Sequence, residues 1–281
     1  MSVAHDNVQL AAPPATPRRR ASLLERGLPA LLGALGIVGA LFAWQIFSEI
    51  GPVDPHFLPP PSDVLPQFFQ NLGYADFWTA TGYTLRAWLL GLVISTLGAI
   101  VLGVIIGSSD FLRQATHSTI EFLRPIPSVA LIPLAALLYG PVLKAELLIV
   151  AFACFWIVLV QVLYGVADVD KVATDTAHTM HLSYLQRVRY LVFPTLLPYL
   201  VTGIRLAATV ALILSIGVEL IVGTPGLGQK VALAQINDAT PSMYALILTS
   251  GVLGMLVNGL MGLLERRLLF WHASVRGGVK S

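Results

Sequence analysis

Residues Gly223-Thr224-Pro225-Gly226-Leu227-Gly228-Gln229-Lys230 form a glycine-rich run ending in a lysine. Such a run cradles phosphates when the lysine directly follows a glycine and is itself followed by Ser or Thr, which holds magnesium. Here Gln229 intervenes and Val231 follows Lys230, so the run is expected to be a turn. Asp175, His178 and His181 stand three residues apart, a spacing that brings metal-ligating side chains near one helix face. A turn expected at His181 breaks that face, and no metal site is assigned. Glu219 and Arg205 are single charges in an apolar stretch. Fourteen residues of helix would separate them by about 21 Å, so they cannot pair with each other. A charge within an apolar span is costly and marks function by default; Glu219 suits a solute path or a helix contact equally. Arg205 is expected to snorkel to an interface, and Arg124 to pair with Glu121, three residues before it. Hydrolytic or transferase chemistry needs a convergent Ser/His/Asp set or paired acids. The apolar runs hold only isolated charges, so neither catalysis nor a cofactor is expected.

The elements that carry these residues are apolar. Of 281 residues, 56% are hydrophobic and only 11% charged, against about 25% charged in ordinary soluble domains. Mean hydropathy is +0.78. These values exclude a soluble enzyme, a disordered chain and a nucleic-acid binder. The single cysteine, Cys154, excludes an internal disulfide. A helix needs about 20 apolar residues to cross a bilayer, and six runs qualify: Leu28–Phe47, Leu85–Ile106, Ile120–Leu138, Leu143–Tyr164, Leu196–Val222 and Met243–Leu264. The first is too long for a signal peptide's apolar core of about 7–15 residues and lacks a clean cleavage site. The third holds Arg124, Pro125, Pro127 and Pro133; missing backbone donors predict a bent or broken helix there. Between the first two, Ser62 is expected to cap a short helix with Val64, Leu65, Phe68, Phe69 and Leu72 on one face. That helix either lies in the membrane interface or packs on the spans.

Orientation follows from the Lys/Arg bias of short loops. With the N-terminus inside, Arg18, Arg19, Arg20, Arg26, Arg113, Lys171, Arg187, Arg189, Arg266, Arg267, Arg276 and Lys280 are cytoplasmic, and the outer loops hold only Lys144 and Lys230; Arg86, Arg124 and Arg205 lie in or beside spans and are not counted. Both termini are therefore expected inside. The chain divides into a cytoplasmic tail at 1–26, a first span with an outer segment at 27–84, a transmembrane domain at 85–271 and a second tail at 272–281. The longest cytoplasmic loop, 165–194, is expected to fold as two short helices, Asp170 to His181 and Leu185 to Leu191, with a turn between them. Pro194 is expected to end the segment before Leu196 opens the fifth span. A partly apolar helix pair of this kind makes a knob that fills a partner's groove.

The loop carries a resemblance. Asp175-Thr176-Ala177, three residues, His181, nine residues, then Leu191-Val192-Phe193-Pro194 resembles the EAA motif of bacterial ABC importer permeases: Glu-Ala-Ala, three residues, Gly, nine residues, Ile-x-Leu-Pro. The likeness continues through Pro198-Tyr199, Thr202-Gly203, Arg205, Glu219 and Gly226-Leu227-Gly228. Before the loop, Arg124-Pro125-Ile126-Pro127, Ala130 and Pro133-Leu134 resemble the nitrate/sulfonate/taurine branch. The resemblance implies an all-α membrane protein of the type I ABC importer permease fold, with six transmembrane helices, in the bacterial inner membrane. It implies a homodimer embedded in lipid that docks two cytoplasmic ABC ATPase subunits and receives solute from a periplasmic substrate-binding protein. ATP hydrolysis then belongs to the separate ATPase, and the chain is not an enzyme. Asp175, Thr176, Ala177, His181, Leu191, Phe193 and Pro194 would form the coupling loop. Ala177 would pack on the ATPase, His181 make the turn and Pro194 fix the exit into span 5. Glu219, Gln161 and Pro127 would border the substrate pathway. The implied solute is a small anion, namely an alkanesulfonate, taurine or nitrate, with a neutral heterocycle as the alternative. A secondary transporter working without ATP has no reason to carry such a loop. Three departures stand out: His181 replaces the turn glycine, Asp175 is one methylene shorter than Glu, and Phe155-Trp156-Ile157 and Gln161-Val162 replace the branch's span 4 residues.

Overall fold

The computed structural model describes residues 23–270. The tail expected at 272–281, and residues 1–22 of the one expected at 1–26, lie outside the described residues. All regular structure among the described residues is helical, and five helices are long and apolar enough to cross a membrane, or six when one bent pair counts as a span. The described residues form two units, divided between Val53 and Asp54. The first contains α1 (Leu23–Ile50), whose side chains from Leu31 to Ala40 are all exposed. An apolar run exposed all round suits a lipid surround.

The second unit opens with α2 (Pro61–Asn71), which packs on the last long helix, α11 (Thr240–Leu268), and buries Val64 completely. Its N-cap is Pro60 and not Ser62, because Pro61 supplies a ready-made first turn. Next, α3 (Ala75–Gly107) starts ten residues before the apolar run at Leu85. The Thr-rich stretch that hid this start stays helical because Thr79 and Thr81 donate their hydroxyls to the carbonyls four residues back, while the Thr84 hydroxyl is shared between the Ala80 carbonyl and the Glu219 carboxylate.

The third span is broken. Helix α4 (Asp110–Leu123) and a segment formed by a 3-10 turn at Ser128–Leu131 and α5 (Ile132–Tyr139) meet at 76°. Pro125 and Pro127 lie in the break, where each withholds a backbone donor. No ion pair joins Arg124 to Glu121 among the described residues. Helices α6 (Leu143–Ala167) and α9 (Phe193–Val222) complete the centre with α3, and α10 (Leu227–Ile236) packs between α9 and α11.

Close packing of α3, α6 and α9 follows from small residues at every fourth position. Along α3 these are Ala87, Gly91, Ser95, Ala99, Gly103 and Gly107, all buried. Along α9 they are Gly203, Ala207, Ala211 and Ser215, and the same stripe ends on Glu219. Lipid tails give helices no hydrophobic drive to associate, so such stripes hold by close backbone approach and van der Waals contact. A Cβ on Gly91 would stand 2.5 Å from Val150, and one on Gly103 2.5 Å from Val162. Trp88 adds a polar tie, donating Nε1–H to the Ala208 carbonyl at 2.8 Å. Arg205 does not snorkel free: its guanidinium pairs with Glu265 of α11 at 2.6 Å and reaches Asn258 at 3.4 Å.

Candidate functional site

Two polar assemblies occupy opposite ends of α6 and α9. The first is the connection between them. Helix α7 (Lys171–Thr179) is capped by Asp170, whose carboxylate accepts the Val172 N–H at 2.8 Å. It ends in a complete Schellman motif. The Leu182 N–H bonds the Ala177 carbonyl, the His181 N–H bonds the His178 carbonyl, and His181 takes φ 54°. Glycine usually fills this left-handed position because it has no Cβ to clash; here histidine does. Ser183 then caps the next helix, α8 (Tyr184–Arg187), through a reciprocal capping box with Gln186. The Ser-x-x-Gln spacing is a standard start signal and would have placed the helix start in the sequence.

Pro194 does not end this segment. A π turn at Val188–Val192 joins α8 to α9, giving one helical path from Tyr184 to Val222 with Pro194 in the first turn of α9. The wider turn absorbs the donor that proline lacks. Of the residues expected in the loop, Asp175 and Thr176 are exposed on α7, and Ala177 is 6% exposed. Leu191 is half-buried in the π turn, while Phe193 and Pro194 are exposed. Met180, Tyr184 and Leu185, the last 79% exposed, add apolar surface at the turn itself, beside the exposed Val172, Tyr190 and Phe193. His178 faces Arg187 across the turn, Nε2 to Nη1 at 2.5 Å, and Tyr199 ties α9 to the end of α6 by donating to Asp168 at 2.9 Å.

At the other end, Gly223 terminates α9 with φ 81°, and the turn to α10 is stitched to three helices. Glu219 is fully buried, and its Oε2 accepts the Thr84 hydroxyl at 3.0 Å and the Gly228 N–H at 2.8 Å. Thr84 Oγ1 in turn accepts the Leu227 N–H at 3.0 Å. Glu219 and Thr84 thus cap α10 between them, Glu219 taking the Gly228 N–H and Thr84 the Leu227 N–H of that helix's unpaired first turn. Gly226 and Gly228 are required by proximity: a Cβ on the first would overlap the Glu219 carboxylate, and on the second the Ile216 carbonyl. On the opposite flank, Thr224 donates to Glu146 of α6 at 2.5 Å, both side chains being buried. Glu146, Thr84 and Thr224 were not singled out by sequence reasoning. The one signal was Glu146 itself, an acid four residues inside an apolar run.

Gln161 is half-buried against Gly203. Gly203 lies sixteen residues from Glu219, about 24 Å along α9, so the structure does not bring Gln161 and Glu219 together. Pro127 is exposed at the break in the third span.

Residues 99–270 match the family described as binding-protein-dependent transport system inner membrane component. The chain is 30% identical over 258 residues to the taurine transport system permease protein TauC of Escherichia coli (strain K12), covering 90% of this chain and 93% of that one. It is 29% identical over 248 residues to the riboflavin transport system permease protein RibX of Chloroflexus aurantiacus, covering 88% and 91%. Among solved structures, a bacterial ABC transporter involved in the import of the acidic polysaccharide alginate aligns with a TM-score of 0.60 at 12% identity, over 88% of this chain and 98% of that one. That likeness concerns the fold. The chain therefore belongs to the binding-protein-dependent transport system inner membrane component family, as a multi-pass inner-membrane permease of the type I ABC importer fold that is not itself an enzyme.

Proposed function

We propose that this chain, as a homodimer, forms the membrane path for a small organic or inorganic anion of the alkanesulfonate, taurine or nitrate kind. It couples that path to two cytoplasmic ATPase subunits and receives solute from a periplasmic binding protein. The observation that carries the coupling role is the segment from α7 to α8: a capped helix, a tight left-handed turn and a second capped helix, with Met180, Tyr184 and Leu185 turned outward. Apolar side chains gathered on a polar loop mark a protein contact. On this reading Asp175 and Thr176 border the contact, and Ala177 and His181 shape it from beneath. Leu191, Phe193 and Pro194 transmit movement into α9 without a hinge, because the helix is continuous.

With the Lys/Arg bias setting the orientation, the loop lies in the cytoplasm with both termini, and the Glu219 and Glu146 assemblies face the periplasmic side. The permease relatives named for taurine and for riboflavin frame the choice of solute. Uptake into vesicles carrying the permease, its ATPase and its binding protein decides it. ATP-dependent accumulation of taurine or an alkanesulfonate is expected, with none for riboflavin; riboflavin uptake alone would reverse the assignment.

A further inference from the structure

At the end of α3, α6 and α9 remote from the α7 turn, a cavity of about 250 Å³ is lined by Tyr83, Arg86, Leu143, Glu146, Thr224 and Pro225. Two opposite charges border it and do not meet. Arg86 is exposed on α3 and makes no ion pair or hydrogen bond among the described residues. Glu146 is 2% exposed, with Oε1 held by the buried Thr224 hydroxyl. Their charged atoms are more than 4.0 Å apart, since closer atoms would form an ion pair. A guanidinium with its donor fork free fits an oxyanion. A carboxylate locked in place by a neighbouring hydroxyl fits an ammonium group. The cavity is smaller than the roughly 300–1,000 Å³ of sites for drug-sized ligands, a size that suits a small solute.

We infer that this cavity is a receiving site for a small zwitterion, with an amine at one end of a short chain and a sulfonate or carboxylate at the other. Arg86 takes the oxyanion and Glu146 the ammonium. The inference rests on reading the chain as an importer of small anions, and it narrows that class: an aminosulfonate fits both charges, whereas nitrate or a plain alkanesulfonate uses only one. Tyr83 and Thr224 complete the wall, and Thr224 keeps the Glu146 carboxylate in one orientation.

The test is equilibrium binding of radiolabelled taurine to the permease–ATPase complex in nanodiscs without binding protein, with unlabelled ethanesulfonate and β-alanine as competitors. Ethanesulfonate, which lacks the amine, is expected to compete about tenfold or more weakly than unlabelled taurine, the loss of one charge-assisted contact. Glu146→Gln keeps an acceptor for Thr224 and is expected to bring the two sulfonates within about threefold of each other. Arg86→Gln is expected to weaken both by about tenfold or more. Competition by β-alanine as strong as by taurine supports a site for either oxyanion; weaker competition supports one specific for sulfonate. Equal competition by taurine and ethanesulfonate in the parent, no taurine binding, or parent-like binding by Arg86→Gln would overturn the inference. ATP-dependent uptake by the parent separates the two claims: uptake without taurine preference refutes only the zwitterion site, and no uptake of any probe refutes the importer reading.

Discussion

His181 carries the turn after α7 on a residue that pays for its backbone. A left-handed φ of 54° is tolerated by histidine better than by most residues, and the Schellman bonds around it hold the geometry. Restoring glycine removes the Cβ penalty of about 1 kcal/mol, while a β-branched side chain raises the cost to about 1–3 kcal/mol. His181→Gly is therefore expected to match or exceed the parent in thermal unfolding midpoint. His181→Val is expected to unfold a few degrees lower, at about 2–4 °C per kcal/mol for a chain of this size. The position of the turn was legible from motif spacing alone. The burial of Ala177 was not, because spacing fixes which residues share a helix and leaves open which side of it is buried.

At the scale of elements, the seam between α3 and α6 is set by Gly91, Gly103 and Gly107 against Val150, Val162 and Val166. Gly103→Ile forces a branched side chain into Val162 and is expected to destabilise the permease by about 1–3 kcal/mol through overpacking. The same change at Gly33, which has nothing within 4 Å, is expected to leave stability within about 0.5 kcal/mol. A thermal aggregation assay on the two purified variants reads the difference. Hydropathy revealed five spans directly and the sixth as a proline-broken run. It missed the first ten residues of α3, whose threonines look polar until each hydroxyl is seen bonded to its own helix. It also placed a stop at Pro194, because nothing in a sequence announces a π turn that takes up a proline. The carboxylate assemblies were hidden for a different reason. Glu219 meets Thr84 at 135 positions' remove, and Thr224 meets Glu146 at 78, so no local pattern could pair them.

For the whole molecule, scarcity of charge becomes a division of labour. Buried carboxylates anchor the turn after α9, Arg205 and Glu265 tie α9 to α11, and the basic residues Arg187 and Arg189 sit with the exposed apolar tip of the connecting loop. Helix α8, the π turn and α9 are continuous, so on the proposed coupling role a push on Leu185 would travel along a single helical path toward the Glu219 assembly. The central claim is that this tip is where an ATPase docks, and Leu185→Asp tests it most directly. At 79% exposure the substitution is expected to leave folding and membrane insertion unchanged, surface changes costing within about 0.5 kcal/mol. The measurement is copurification of the ATPase with tagged permease from detergent-solubilised membranes. The account predicts that the ATPase recovered with Leu185→Asp falls about tenfold or more below the parent, as for loss of a central apolar anchor. Parent-level recovery of the ATPase with this variant would contradict it.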